Sequence, residues 1–283
     1  MADAAAPGEA APGEPDPGRP DIAAPIGVDS RRANMARVYD YWLGGTDNFQ
    51  ADRDLGRQIL AVEPSVRAIA RANRAFLGRA VRFLSGAGVR QFLDIGSGIP
   101  TRGNVHEAAG PGARVVYADI DPVVIAHSRA ILADDQNAAA IQADLRDPAA
   151  ILGDATTRRL IDFRQPVGLL LVSVLHFIGD AEEPARLVAT LRDALAPGSY
   201  LVLCHAAEAG PIMAQPLEKV YNQSVSGSLR IRSGAEILPF FEGFELVDPG
   251  LVSGPQWRPD PAAVARGEAG HMWGLLAGVG RKP

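Results

Sequence analysis

The sequence predicts an α/β fold with a doubly wound, mostly parallel sheet that follows an N-terminal helical extension. From residue 89 onward, short apolar segments alternate with segments whose apolar residues have helical spacing. The apolar segments show little polar alternation, which is typical of strands buried on both faces of a sheet. This alternation favours right-handed crossover units, and therefore a Rossmann-like sheet covered by helices on both sides.

Seven strands are predicted, five in the first part of this region and two near its end. The five cover residues 90–95, 114–119, 139–144, 167–173 and 199–205, and helices are predicted near 101–109, 122–134, 148–154 and 182–195. Further helices at 215–225 and 233–242 precede strands at 244–249 and 271–282. Residues 250–270 hold no long helical pattern, so the last two strands are predicted to pair antiparallel.

The chain divides into three predicted regions. Residues 1–30 are mainly Ala, Pro, Gly and acidic residues, and their low apolar content predicts a disordered tail. Residues 31–88 form the helical extension, with helices at 34–45 and 64–88, and residues 89–283 form the Rossmann-like domain. The second helix carries a group of arginines that we interpret as a solvated face: Arg67, Arg71, Arg74, Arg79 and Arg82.

Composition restricts the classes of function. A net charge of −5 argues against a nucleic-acid binder, since such binding depends on cationic contacts to phosphate. The sequence has neither a signal peptide pattern nor an apolar run long enough to span a membrane, so we expect a cytoplasmic protein without a membrane partner. The single cysteine, Cys204, excludes an internal disulfide and a multi-thiolate metal site, and no metal is predicted.

The stretch "FLDIGSGIPT" at residues 92–101 places a glycine turn where a doubly wound sheet binds ligands. Gly96 and Gly98 are followed by Thr101 where a dinucleotide fingerprint needs a third glycine, and the chain has no Gly-Lys-Ser/Thr phosphate loop. Asp94 would repel a pyrophosphate but suits a ligand that carries an ammonium group. These residues favour S-adenosylmethionine as the cofactor over a dinucleotide.

Two further acids end the next predicted strands. Asp119 can accept hydrogen bonds from both ribose hydroxyls of an adenosine, and Asp144 can accept from the adenine amino group. Each acid alone could equally be a helix cap or a turn residue. Asp121, just before a proline, is better explained as a cap, although it competes with Asp119 for the ribose.

Several segments resemble a known family. "FLDIGSGIPTRGNVHE", "VVYADIDPVVIAHSRAIL", "IQADLRDP" and "LLLVSVLHFIGD", with "RVYDYWLGGTDNF" upstream, are similar to an actinobacterial S-adenosylmethionine-dependent methyltransferase family formerly described as a domain of unknown function. The resemblance covers nearly all of residues 31–283. The strand-end acids are shared by class I methyltransferases generally, whereas the upstream motif is specific to this family.

The resemblance implies a seven-stranded class I methyltransferase fold whose last strand is antiparallel. It also implies cofactor-binding residues, with Asp94, Gly96 and Gly98 at the methionine portion, Asp119 at the ribose, and Asp144 with Leu145 at the adenine. Ser173 and Tyr41 complete the predicted cofactor-binding set. The fourth strand ends in "SVLHFIGD" and lacks an Asn-Pro-Pro-Tyr ending, which disfavours methylation of nucleobases and favours a small-molecule substrate.

His176 is the predicted catalytic residue, as a general base beside the cofactor crevice. The alternative is a hydrogen-bonded core histidine, and His205 is a second candidate base. His106 and His271 are interpreted as structural or exposed. Two other functions are weighed against a methyltransferase: a non-catalytic S-adenosylmethionine-binding regulatory protein and a nicotinamide-dependent oxidoreductase.

The segment "YDYWLGGTDNF" is predicted to fold over the cofactor as a lid, with Tyr41, Trp42, Asp47 and Asn48 closing the pocket. The alternative is that its aromatic side chains only pack on the core. Tyr221 and Trp257 are predicted on the substrate side. The methyl acceptor and the oligomeric state are not predicted by the sequence.

Overall fold

One twisted sheet forms the centre of the computed structural model, which describes residues 28–100, 103–208, 214–224 and 228–283. Its strands are β1 (Gln91–Ile95), β2 (Arg114–Asp119), β3 (Ala138–Gln142), β4 (Gly168–Val172), β5 (Tyr200–Ala206), β6 (Glu245–Leu246), β7 (Val252–Ser253) and β8 (Leu275–Arg281). The first 27 residues of the predicted tail lie outside the described residues.

The strand order is β3-β2-β1-β4-β5-β8-β6, and β7 pairs with β8 off this path. Strands β1 to β5 are parallel to one another, whereas β8 runs antiparallel to β5, β6 and β7. The doubly wound, mostly parallel sheet and its antiparallel last strand are therefore confirmed. The count of seven strands is corrected to eight, because Val252 and Ser253, in the segment that follows β6, form the separate short strand β7.

Eleven α-helices occur in the described ranges. They are α1 (Met35–Trp42), α2 (Gln50–Val62), α3 (Val66–Gly86), α4 (Val105–Ala109), α5 (Pro122–Ile131), α6 (Pro148–Gly153), α7 (Ala155–Leu160), α8 (Pro184–Asp193), α9 (Ala214–Ser224), α10 (Gly234–Ile237) and α11 (Pro261–Ala265). Short 3-10 turns occupy Leu175–Phe177, Asp180–Glu182, Leu238–Phe241 and Gly254–Gln256. No helix in these ranges combines the length and apolarity needed to cross a bilayer.

Two hydrophobic clusters cover the two faces of the sheet. Successive strand residues point to opposite faces, so Phe92 joins the cluster under α3 while Leu93 joins the cluster under α8. Phe76 of α3 belongs to the first cluster, and Leu187 and Leu191 of α8 belong to the second. All five residues of β1 and of β4 are buried, which is why their sequences show no polar alternation.

The extension contains three helices where the sequence predicted two. Helix α2 was missed, although Leu55 and Ile59 lie four residues apart and bury one face of it. Asp52 begins the helix by accepting the backbone N–H of Phe49 through Oδ2, at 2.8 Å. The three helices form a separate small cluster that includes Val38 and Ala70. Helix α7 was also not predicted from the sequence.

The sequence predicts that the arginines of α3 form a solvated face. The structure corrects this interpretation, because not all of them are exposed. Arg79 is buried, and it donates from Nε to the carbonyl of Trp257 at 3.0 Å and from Nη2 to that of Gly254 at 2.7 Å. The planar guanidinium thus ties α3 to the turn before α11. The interpretation holds better for Arg82, whose exposed side chain pairs with Asp260.

Candidate active site

A cavity of about 330 Å³ lies at the carboxyl ends of β1, β2 and β4. Its floor includes the glycine turn after β1 and the residues that follow β4, and its roof is built from α1, α3 and α9. Seven predicted cofactor-binding residues line it, together with the predicted catalytic histidine: Asp94, Gly96, Gly98, Asp119, Asp144, Leu145, Ser173 and His176. The fold therefore brings together residues from four separate segments, at the carboxyl ends of β1, β2, β3 and β4.

Both glycines of the turn adopt positive φ, and they differ in what surrounds them. Gly96 has φ 72°, and a Cβ added there would lie 2.4 Å from Cγ2 of Val174. Gly98 has φ 67°, and an added Cβ would meet nothing within 4 Å. Gly96 thus allows the close approach of the β4 loop, while Gly98 leaves space at the cavity surface.

Asp94 is buried at the end of β1, at the cavity wall. Burial raises the pKa of its carboxyl to about 7, Arg74 opposes the shift and Asp119 adds to it. A carboxyl with this pKa gains from a cationic partner in the cavity, because the charged form lacks water there.

Asp119 is held in place by backbone donors. Its Oδ2 accepts the N–H of Gly98 at 2.9 Å, and its Oδ1 accepts that of Asp121 at 3.0 Å. Burial nevertheless raises its pKa to about 6. Asp121 instead caps α5, since its Oδ1 accepts the N–H of Val123 at 2.7 Å. The geometry thus separates the two acids that the sequence left in competition.

Asp144 and Leu145 lie on the cavity wall beyond β3, which ends at Gln142 and so is shorter than predicted. Asp144 Oδ1 accepts the backbone N–H of Arg146 at 2.9 Å and pairs with Nη1 of the same residue at 3.2 Å. Leu145 is buried. Ser173, just after β4, has φ 60° and donates its N–H to the carbonyl of Cys204 at 2.9 Å.

The structure does not bring Tyr41 to the cavity. Its ring packs against Gly56 of α2 and beneath the guanidinium of Arg67, on the other side of α1. Tyr39 and Trp42, three residues apart and hence on one face, line the cavity instead. The predicted helix therefore lines the cavity, but through Tyr39 and Trp42 and not through Tyr41.

Asp47 and Asn48, which were expected to close the pocket, contact Asp40. Asp40 Oδ2 accepts the N–H of Asp47 and Nδ2 of Asn48, both at 2.8 Å. Asp40 lines the cavity, whereas neither partner is among the lining residues in the described ranges. Asp47 and Asn48 therefore fix the shape of the loop after α1 through Asp40 and do not line the cavity themselves.

His176 occupies the 3-10 turn after β4 and lines the cavity. Its Nδ1 accepts the backbone N–H of Ala206 at 3.3 Å. Burial lowers the pKa of His176 well below its ordinary value, with help from His205 and Arg232, so the ring is neutral near pH 7. His176 Nε2 has no hydrogen-bond partner among the described residues.

His205 is a hydrogen-bonded core histidine. Its Nε2 accepts from Nη1 of Arg232 at 3.1 Å, and its Nδ1 therefore donates to the carbonyl of Ala206 at 2.7 Å. Burial lowers the pKa of His205 to about 4. With both nitrogens engaged, His205 does not serve as the alternative base considered from the sequence.

Of the two residues expected on the substrate side, Tyr221 lines the cavity and stacks on Phe177, with ring centroids 5.4 Å apart. Trp257 is fully buried under α3, where it packs edge-on against Phe76 at 5.4 Å and Phe83 at 5.8 Å. The prediction for Trp257 is wrong, because its side chain is buried against α3 and does not line the cavity in the described residues.

Helix α3 contributes cavity residues that the sequence analysis did not assign to the site, among them Asn73 and Arg74. Asn73 donates from Nδ2 to the hydroxyl of Tyr39 at 2.8 Å, and that hydroxyl donates to the carbonyl of Ala70 at 2.9 Å. A buried asparagine in an otherwise apolar helix face was the available signal. Nothing in the sequence distinguished Arg74 from its neighbouring arginines.

The residues present fit S-adenosylmethionine. The Oδ1 of Asn73 and the Oγ of Ser97 are buried at the cavity without a partner in the described residues, and each can bond to a polar ligand. Asp94 offers a buried carboxyl to an ammonium group, and Gly98 leaves room above the turn. The described residues hold no group of three His, Cys, Asp or Glu side chains suited to a metal.

Comparisons with known proteins agree with this geometry. A model of the S-adenosyl methyltransferase family matches residues 22–283. The crystal structure of a candidate methyltransferase from Thermobifida fusca is 43% identical, covers 93% of this chain and 99% of its own, and superimposes with a TM-score of 0.84. A DUF574 family protein from Streptomyces avermitilis is 38% identical, covers 90% of this chain and 99% of its own, and has the same TM-score of 0.84.

A third structure is similar in fold alone. The S-adenosylmethionine-dependent methyltransferase SibL, in its apo form, is 17% identical, with a TM-score of 0.51 over 83% of this chain and 59% of that chain. No protein among those with curated descriptions matches the chain. The resemblance noted from sequence motifs is confirmed by the family model and the two closely similar structures.

Proposed function

This chain belongs to the S-adenosyl methyltransferase family, and on that premise we propose that it methylates a small molecule bound in the apolar part of its cavity. The bound cofactor supplies an electrophilic methyl group. The protein's own residues hold the two reactants and exclude water. In-line transfer requires the acceptor atom to lie roughly 3 to 3.5 Å from the methyl carbon.

We assign the strand-end residues to the cofactor as the sequence suggests, except for Tyr41. Asp94 would bind the ammonium group, Asp119 the ribose hydroxyls, and Asp144 with Leu145 the adenine. Gly96, Gly98 and Ser173 would let the backbone approach the methionine portion. This assignment is supported by the shared cavity and by the raised pKa values of two of the acids, about 7 for Asp94 and about 6 for Asp119.

The apolar remainder of the cavity is the observation that carries the small-molecule proposal. Beyond the acids, the wall consists mainly of apolar and aromatic side chains from α1, α9 and the segments after β4 and α9: Met35, Leu43, Phe177, Leu217, Tyr221, Leu229 and Ile231. A volume of about 330 Å³ at the roofed ends of the strands suits a cofactor with a small acceptor. A nucleic acid would need an open groove lined with cationic side chains.

The test is methyl transfer from isotopically labelled S-adenosylmethionine to a panel of small phenols, carboxylic acids and amines, with mass spectrometry of the products. We expect at least one small acceptor to be labelled by the wild-type protein. Leu217→Trp should abolish labelling by filling the acceptor space, while S-adenosylhomocysteine still binds. Leu246→Trp, at an exposed position of β6, is the matched control and should behave as wild type. Labelling of protein or nucleic acid, with none of any small molecule, would contradict the proposal.

A further inference from the structure

The hydrogen bond from Ala206 determines which nitrogen of His176 carries the proton. A backbone N–H can only donate, so Nδ1 of His176, at 3.3 Å, must be the unprotonated nitrogen. In a neutral imidazole the proton then lies on Nε2. Burial keeps the ring neutral by lowering its pKa, and the nearby His205 and Arg232 act in the same direction. The free nitrogen of His176 is therefore a donor.

The other polar groups near the acceptor space are engaged or stay protonated. Asp40 accepts from Asp47 and Asn48, and Glu63 Oε1 accepts from N and Oγ of Ser65. Burial raises the pKa of both Tyr39 and Tyr221, so neither phenol ionises near neutral pH. Of these groups, neither phenol acts as a base near neutral pH, and Asp40 Oδ2 and Glu63 Oε1 are already engaged.

We propose that His176 binds the methyl acceptor by donating its Nε2–H to an oxygen lone pair, and that it does not act as a general base. The inference rests on the proposed function and refines the substrate class. The acceptor is a small, mainly apolar molecule with a carbonyl or ionised oxygen. Its nucleophilic atom carries no proton that must be removed before it attacks the methyl group. His176 takes no proton in this arrangement.

Two substitutions separate the possible functions of His176, because the amide of Gln reaches the Nε2 position and that of Asn reaches the Nδ1 position. His176→Gln keeps a donor toward the cavity and cannot act as a base. His176→Asn keeps an acceptor for the N–H of Ala206 and removes the donor at the Nε2 position. A purely structural histidine would thus be replaced better by Asn, and a donor better by Gln.

The first measurement is nitrogen NMR of the full-length protein labelled in its histidine rings, with S-adenosylhomocysteine present. We expect a protonated Nε2 and an unprotonated Nδ1 for His176, unchanged between about pH 5.5 and about pH 8.5. The signal is assigned by its loss in His176→Gln. A protonated Nδ1, or titration of His176 within that range, would overturn the proposal.

The second measurement compares two probes of equal shape, acetophenone and 2-phenylpropene, of which only the first has an oxygen lone pair. Wild type should prefer acetophenone by about tenfold, the value of one net hydrogen bond. His176→Gln should retain most of this preference and His176→Asn should lose it. Equal preference in all three proteins would overturn the proposal. Failure of the wild type to bind S-adenosylhomocysteine would instead refute the proposed function.

Discussion

Arg37 of α1 and Asp121 of the loop after β2 form a buried contact, with Nη1 of the arginine 3.6 Å from Oδ2 of the carboxylate. Arg37 Nε also pairs with Oδ2 of Asp52 at 3.0 Å. One buried cation therefore links α1, α2 and the loop after β2, the strand that ends at the proposed ribose-binding Asp119. These buried contacts pack the extension over the cavity as a roof. The proposed lid is therefore the whole cluster of helices and not the segment after α1 alone.

Replacement of Arg37 tests how strongly the roof depends on this link. Arg37→Met leaves Asp52 and Asp121 buried without their cation, and we expect a loss of about 3–5 kcal/mol in the free energy of unfolding. Urea denaturation measures it. Arg57→Met, which breaks an exposed pair with Asp54, should cost less than about 1 kcal/mol. Equal losses in the two variants would show that the buried link contributes nothing special.

The two glycines of the turn should separate stability from binding. Gly96→Ala combines positive φ with a close contact to Val174, so we expect a large loss of stability. Gly98→Ala meets no protein atom nearby, so its stability cost should be near the roughly 1–2 kcal/mol of a left-handed residue, with cofactor affinity more strongly reduced. Thermal unfolding and titration with S-adenosylhomocysteine measure the two effects. A Gly98→Ala protein that binds like wild type would exclude this surface from the cofactor site.

Cofactor affinity should depend on pH through Asp94 and Asp119. With pKa values of about 7 and about 6, both carboxyls are mostly protonated at about pH 5 and mostly ionised at about pH 8 in the free protein. An ammonium group favours ionised Asp94, so affinity for S-adenosylmethionine should rise between about pH 5 and about pH 8, by up to about tenfold per unit for each proton released. Calorimetry at several pH values measures this. Asp94→Asn should weaken binding and flatten the upper part of the profile.

Asp94 also affects the stability of the ligand-free protein in a direction that its raised pKa determines. The folded state holds the proton more tightly than the unfolded state, so ionisation destabilises the fold as pH rises from about 4 to about 7. Asp94→Asn removes this cost, and the variant should be more stable than wild type at pH 8. The difference should shrink toward pH 4. Urea denaturation that shows a less stable variant at pH 8 would contradict the account.

Arg79 is expected to stabilise the fold without affecting the site. Arg79→Lys cannot reach both carbonyls that the guanidinium now binds, so we expect a loss of about 1–3 kcal/mol. Arg82→Lys, on the same helix and exposed, should change stability by less than about 0.5 kcal/mol. Binding of S-adenosylhomocysteine should be unchanged in both. Similar stabilities would restore the interpretation of a uniformly solvated helix face.

Sequence reasoning succeeded where the backbone pattern alone determines position. The positions of the strand-end acids and the glycines follow directly from where the buried strands end, so these residues line the cavity as predicted. Tyr41 was assigned wrongly, because three aromatic residues share α1 and only packing against α2 decides which face meets the cavity. Helix α2 itself was missed, since its two buried apolar side chains lie among charged residues. Arg79 shows the same limitation, because its partners are carbonyls distant in sequence.

Calorimetric titration of wild type, Asp119→Ala and Asp144→Ala with S-adenosylmethionine tests the central claim, which is that the strand-end acids form the cofactor site. We expect binding to the wild type, no detectable binding to Asp119→Ala, and weakened binding to Asp144→Ala, whose carboxylate is more exposed and already paired with Arg146. NAD, titrated in parallel, should not bind. Full affinity in Asp119→Ala, with the protein folded, would contradict the account and place the cofactor elsewhere.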